Sequence, residues 1–198
     1  MKKELRNPYD IKTPRLKIRP GILLVAPPLS NDLYFNKTVV LIVEHNENGS
    51  VGFVINRPTE FLADKVIASI SNFDSKIYFG GPVQVNTLHF IHSLGDKIPD
   101  TEKVTENIYW SGDFEKMYEL INNGEVKENQ VKFFLGYSGW APGQLEKELD
   151  MNYWHMVPSE KYTNYIWGNS SQLWQKILTD LGLSKKLINI IPPDPSLN

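Results

Sequence analysis

The chain has 198 residues, 41% of them hydrophobic and 12% aromatic, with no cysteine and a net charge of −2. Such a length suits one domain with a sizeable core, and the lack of cysteine excludes disulfides, thiolate metal sites and cysteine nucleophiles. Apolar runs such as ILLVA and VVLIV fall far short of the roughly 18–20 residues of a membrane-crossing helix, and the first lysines have no apolar stretch behind them as a signal peptide would, so a soluble cytoplasmic protein without membrane contact is expected.

In chain order, residues 1–20 come first as a basic arm, with seven cationic side chains against Glu4 and Asp10. The remaining residues carry 14 basic and 21 acidic side chains, so the body is acidic. A basic arm permits weak, non-specific contact with nucleic acid, whereas an acidic body argues against a broad nucleic-acid surface. Pro20-Gly21 separates the arm from ILLVA, a short buried strand closed by Pro27-Pro28. TVVLIVEH follows, with Val39, Leu41 and Val43 on one face and Val40 and Ile42 on the other. That pattern belongs to a central strand covered on both sides. Turn residues in NENG and the alternation in SVGFVIN complete an antiparallel hairpin.

Thr59 is placed to cap a helix from about Phe61 to Ile70. KIYFGGPV predicts a strand interrupted by Gly80, Gly81 and Pro82, and NTLHFIHS and EKVTENIYW predict two more. A helix starting at Ser111 or Asp113 stops at Gly124. QVKFFLGY is a strand, PGQLEKELD a short helix and YWHMV a further strand. Ser159 and Ser170 are expected to cap two terminal helices, the second burying Leu173, Ile177, Leu178 and Leu181. Residues 184–198 read as a proline-rich tail. The order gives an α+β fold: a single compact domain over 21–183 with a mostly antiparallel or mixed sheet.

Two segments bear on chemistry. Between strand and helix, GYSGW (Gly136 to Trp140) misses the G-x-S-x-G nucleophile elbow, because its second glycine comes one residue early. With Ala141 as N-cap, Pro142 takes the first helical position and Trp140 and Leu145 have the spacing of a hydrophobic staple. Gln144 then reaches back toward the cap. Alanine has no side-chain oxygen for the N–H groups of Gly143 and Gln144, which leaves a distant side chain, water or an anion to meet them. Elsewhere, Arg57 after Asn56 offers a planar fork for a carboxylate or phosphate, or for one of the chain's own acids. Gly80-Gly81 permits either a sharp bend or backbone N–H groups lining a pocket. His89 and His92 fall three apart on a strand and so point to opposite faces, which is no zinc site. No nucleotide-binding glycine motif occurs, so no cofactor and no metal are expected. The candidate ligand set is Asn56, Arg57, His92, Gly143 and Gln144, around an aromatic pocket.

Taken together, GILLVAPPL, F-x-K-T-V-V-L-I-V-E-H, G-S-V-G-F-V-I-N-R-P, GGPV with His92 ten residues beyond its proline, and FLGYSGWAPGQLE followed by Trp154 resemble the YqgE/AlgH family. The likeness spans about Gly21 to Leu183. Positions matching its motif are Asn56, Arg57, Pro58, Gly80, Gly81, His92, Gly136, Tyr137, Gly139, Trp140, Gly143, Gln144 and Glu148. The resemblance implies a compact α+β fold with a bent, partly barrel-like sheet flanked by helices. It also implies a role in regulating transcription, reached directly or through a protein partner, and it carries over no catalytic residue. The motif often has alanine where this chain has Ser138, which weakens that serine as a nucleophile. The competing reading is a small anionic-ligand-binding protein or enzyme with its pocket at Gly136–Glu148.

Overall fold

β2 (Val39–Asn46) has apolar residues on both faces and is covered on both in the computed structural model, which describes residues 11, 13, 16–30 and 32–191. Val39, Leu41 and Val43 enter one buried cluster, and Val40 and Ile42 enter another. β2 pairs antiparallel with β1 (Ile22–Val25) on one side and with β3 (Gly49–Val54) on the other, and Asn46 faces Gly49 across the hairpin turn.

β4 (Pro58–Leu62) and a single helical turn α1 (Ala63–Val66) follow. The helix expected over Phe61–Ile70 is therefore a strand and a short turn. Pro58 and Leu62 pair with β5 (Lys76–Phe79), and the Thr59 hydroxyl donates to the Ile77 carbonyl instead of capping. Pairing with a neighbouring strand outweighs local helix propensity here. The chain continues through β6 (Val83–His92), β7 (Glu102–Thr105), β8 (Ile108–Trp110) and α2 (Phe114–Asn122). EKVTENIYW is thus a hairpin of two strands rather than one strand. Asp113 caps α2 by accepting the Lys116 N–H.

β9 (Val131–Trp140) organises the rest. Its first half lies between β5, to which it is parallel, and the antiparallel β6, while its end pairs with β3. α3 (Gln144–Asp150), β10 (His155–Pro158), α4 (Thr163–Trp167), α5 (Leu173–Asp180) and α6 (Lys185–Asn189) complete the chain. The ten strands form one curled, mostly antiparallel sheet in the order β10-β1-β2-β3-β9-β6-β8-β7, with β4 and β5 branching from β9. The helices α4–α6 cover one face, α2 a second cluster and α3 a third.

Three boundaries depart from expectation. Ser159 and Ser170 do not cap helices: both hydroxyls are buried without a partner, and the Asn169 side chain takes the capping position instead. Residues 184–191 continue the domain, since Ser184 caps α6 and Ile188 and Ile191 are buried. Most of the basic arm lies outside the described residues. Its last part docks on the body, with Leu16 and Ile18 packed against the cluster holding Trp140.

Candidate functional site

The glycines of β9 and of the turn before β6 answer a question of distance. A Cβ at Gly80 would stand 2.1 Å from the Gly136 carbonyl oxygen, and one at Gly136 would stand 2.7 Å from that of Gly81. Gly136 has φ +67, so the two backbones cross in contact at a bend that no larger residue allows. Gly80, Gly81 and Gly136 therefore form a sharp bend. The Ser138 hydroxyl is buried at this crossing and donates to the Gly80 carbonyl at 3.1 Å.

β9 then delivers Trp140 to the corner. Ala141 to Gln144 form a turn closed by the Gln144 N–H on the Ala141 carbonyl at 2.9 Å. Pro142 holds its second position, and Gly143, with φ 72 and ψ 1, its third, the residue pattern of a type II turn. The left-handed Gly143 cannot be helical, so α3 starts at Gln144 rather than at Pro142. Gln144 does reach back: its side-chain oxygen accepts the Ala141 N–H at 3.0 Å. Trp140 and Leu145 meet in one buried cluster.

One turn into α3, Glu148 faces the sheet. One of its carboxylate oxygens accepts the indole N–H of Trp140 and that of Trp154, each at 2.8 Å, and the other accepts the Gln144 amide at 2.9 Å. The two indoles stand edge to face at 6.2 Å, and Phe35 stacks on Trp140 at 6.4 Å and meets Trp154 edge-on at 5.2 Å. Beside this cluster lies a groove of about 790 Å³. Pro27, Pro28, Pro82, Gly139 and Tyr153 complete its apolar walls, and among the described residues its only charged lining residues are Asp32 and Glu148. Leu29 and Tyr153 in its wall are exposed, as are Leu33, Tyr34 and Met151 nearby in sequence.

The five candidate ligand residues do not gather into one site. Gln144 lines the groove, and Gly143 lies beside it in the turn. The Asn56 amide accepts the Val39 N–H at 2.8 Å and donates to the Lys37 carbonyl at 2.9 Å. Arg57 donates to the carbonyls of Tyr34 and Asn36 at 2.8 and 3.1 Å. Both side chains therefore hold the 32–37 loop that carries Asp32 and Phe35 into the groove. His92 is remote: it pairs with Val131, at the opposite end of β9 from Trp140. It is fully buried, stacked on Tyr109, with its Nε2 2.7 Å from the Thr101 hydroxyl and its Nδ1 accepting the Leu94 N–H. Burial lowers its pKa to about 4, against a smaller opposing effect of the Ser111 backbone, so it is neutral near pH 7. Among the described residues, no His, Asp and Glu cluster could hold a metal, and no helix is long and apolar enough to cross a membrane.

Sequence reasoning missed Asp32, Phe35 and Tyr153. The available signal was an aromatic-rich loop, NDLYFNK, just after two prolines, since functional residues concentrate on loops held by a rigid scaffold.

The model of the AlgH-like family matches residues 23–186. A "UPF0301 protein" of Parabacteroides distasonis is 41% identical over 180 residues, covering 90% of each chain. One from Chlorobium limicola is 38% identical over 182 residues, covering 92% of this chain and 97% of its own. Among solved structures, the AlgH protein from Pseudomonas aeruginosa is similar with a TM-score of 0.70 at 27% identity, over 92% of this chain and 99% of that one. Protein DIP2367 from Corynebacterium diphtheriae shares the fold with the same TM-score at 19% identity, over 91% and 95% of the two chains.

Proposed function

This chain belongs to the AlgH-like family, and we propose that it is a binding protein whose groove holds a lysine- or arginine-bearing segment of a partner protein. The observation that carries this reading is the charge of the groove. Its rings supply faces and edges, and its only charged lining residues among those described are the carboxylates Asp32 and Glu148. Aromatic faces and carboxylates both attract a cation, and the same carboxylates repel an anion, one of the partners the sequence left open at this corner. The exposed apolar residues around the groove favour a polypeptide over a small cation, because they offer surface beyond the cation's own reach. A regulatory role would then run through a protein partner. Direct grip on DNA is disfavoured at this face, since phosphates need cations opposite them.

The test is fluorescence anisotropy with two labelled pentapeptides, four alanines around one central arginine or one central glutamate. The arginine peptide is expected to bind, and Asp32→Asn, which keeps the loop's side-chain oxygen, should weaken it several-fold. Equal binding of both peptides, or none of the arginine peptide at millimolar concentration, would overturn the reading.

A further inference from the structure

At the opposite end of β9 from Trp140, the strand buries a lysine. Lys132 alternates with the apolar Val131 and Phe133 and is only 4% exposed. Its ammonium donates to the Tyr78 hydroxyl at 2.6 Å and lies 3.9 Å from the centre of the Tyr78 ring. Among the described residues it makes no other hydrogen bond and no ion pair. A buried ammonium without a carboxylate is unusual, because desolvation costs several kcal/mol that only a good partner offsets.

Lys132 and Tyr78 line a cavity of about 840 Å³ between the starts of β5 and β9 and the turn after α4. Three donors in its lining have hydrogens without acceptors among the described residues. Two of the three ammonium N–H groups are unused. The Tyr78 hydroxyl accepts from Lys132, and its own proton has no acceptor among the described residues. The Trp167 indole N–H is buried and unpartnered, and that residue lines the same cavity. A cavity with surplus buried donors suits a ligand rich in acceptors. Charge narrows the class. The lining holds Lys76, Lys127 and Lys132 with Asp74 and Glu128; Lys76 is ion-paired with Glu60 at 3.5 Å and Lys127 is exposed, so Lys132 is the buried cation of the set. Phe73, Ile121 and Val126 give it apolar surface as well.

We propose that this cavity is a second binding site, which takes a small monoanionic carboxylate with Lys132 as its counter-ion and Tyr78 as a second donor. One buried cation, Lys132, matches one negative charge, and the Asp74 and Glu128 carboxylates in the same lining disfavour the second charge of a phosphate dianion. Binding is linked to protonation. Burial holds the Lys132 pKa below its ordinary value, with Tyr78 opposing. A bound carboxylate raises it again, so affinity falls as pH rises through that pKa.

The experiment follows the side-chain Cε resonances of Lys132 by NMR in the full chain while acetate or benzoate is added at constant ionic strength. A saturable shift of Lys132 that spares the exposed lysines is expected, together with an upward move of its titration midpoint. Inorganic phosphate should leave it in place. Tyr78→Phe, which keeps the ring and removes the hydroxyl, should weaken benzoate several-fold. Lys132→Met removes a buried charge, so it should fold and lose the response of the Trp167 indole resonance to benzoate. The proposal is overturned if neither carboxylate shifts Lys132, if phosphate shifts it equally, or if the Trp167 response survives in Lys132→Met.

Discussion

Replacing Glu148 by alanine removes both carboxylate oxygens, the acceptors of three donors. Two of these are indole N–H groups on Trp140 and Trp154, each 2.8 Å from the same oxygen, on side chains only 6% exposed. A buried donor left without a partner costs about 1–3 kcal/mol. Glu148 itself is half-buried, so water entering the vacated space recovers part of that cost. The expected loss is about 2–4 kcal/mol, a large share of the roughly 5–15 kcal/mol that holds a domain folded. Glu148→Gln keeps one acceptor oxygen and should lose about half as much. Urea unfolding followed by tryptophan fluorescence and by far-UV circular dichroism measures both. In a double-mutant cycle, Trp154→Phe should cost less in the Glu148→Ala background than in the wild type. A Glu148→Ala chain within about 0.5 kcal/mol of wild type, the range of ordinary surface substitutions, would refute the idea that this carboxylate ties α3 to the sheet.

Two further outcomes follow from groups outside the groove. Arg57→Ala should leave the chain folded but release the carbonyls of Tyr34 and Asn36, loosening the loop that carries Phe35. Arginine-peptide affinity should drop several-fold in the anisotropy assay, and unchanged affinity would contradict the positioning role. His92 binds its proton less readily folded, at about 4, than unfolded, at about 6.5. The unfolded chain therefore binds more protons between these values, so this histidine's contribution to stability is fully present above about pH 6.5 and is lost as pH falls to about 4, by up to roughly 3 kcal/mol. His92→Gln should flatten that part of the stability profile, and parallel profiles for the two chains would contradict it.

Much of the fold was legible because local patterns suffice for it. The two apolar faces of TVVLIVEH predict a doubly covered strand, and Val39 and Val40 do enter different clusters. Residue type narrows the α2 cap to Ser111 or Asp113, of which Asp113 takes it, and Trp140 and Leu145 have staple spacing even though the helix starts two residues later than expected. What failed depended on contacts between distant residues. Nothing in PTEFLADKVI reveals that β5 will be there to pair with it. Gly80, Gly81 and Gly136 suit a bend as well as a pocket, and only the contact between residues 80–81 and 136–138 decides. Asn56 and Arg57 have the chemistry of ligand residues, but their partners are backbone groups about twenty positions upstream. The groove itself joins residues 26–30, 32, 35, 82, 139–140, 144, 148 and 153–154, which no local motif could assemble.

The proposed cation site is the face formed by Trp140, Trp154 and Glu148. Its most direct measurement is the indole N–H spectrum of the five tryptophans during titration with the arginine pentapeptide. Saturable shifts of Trp140 and Trp154 are expected, with Trp110 and Trp167 unmoved and no response to the glutamate peptide. Unmoved Trp140 and Trp154 signals, or equal shifts with the glutamate peptide, would contradict it.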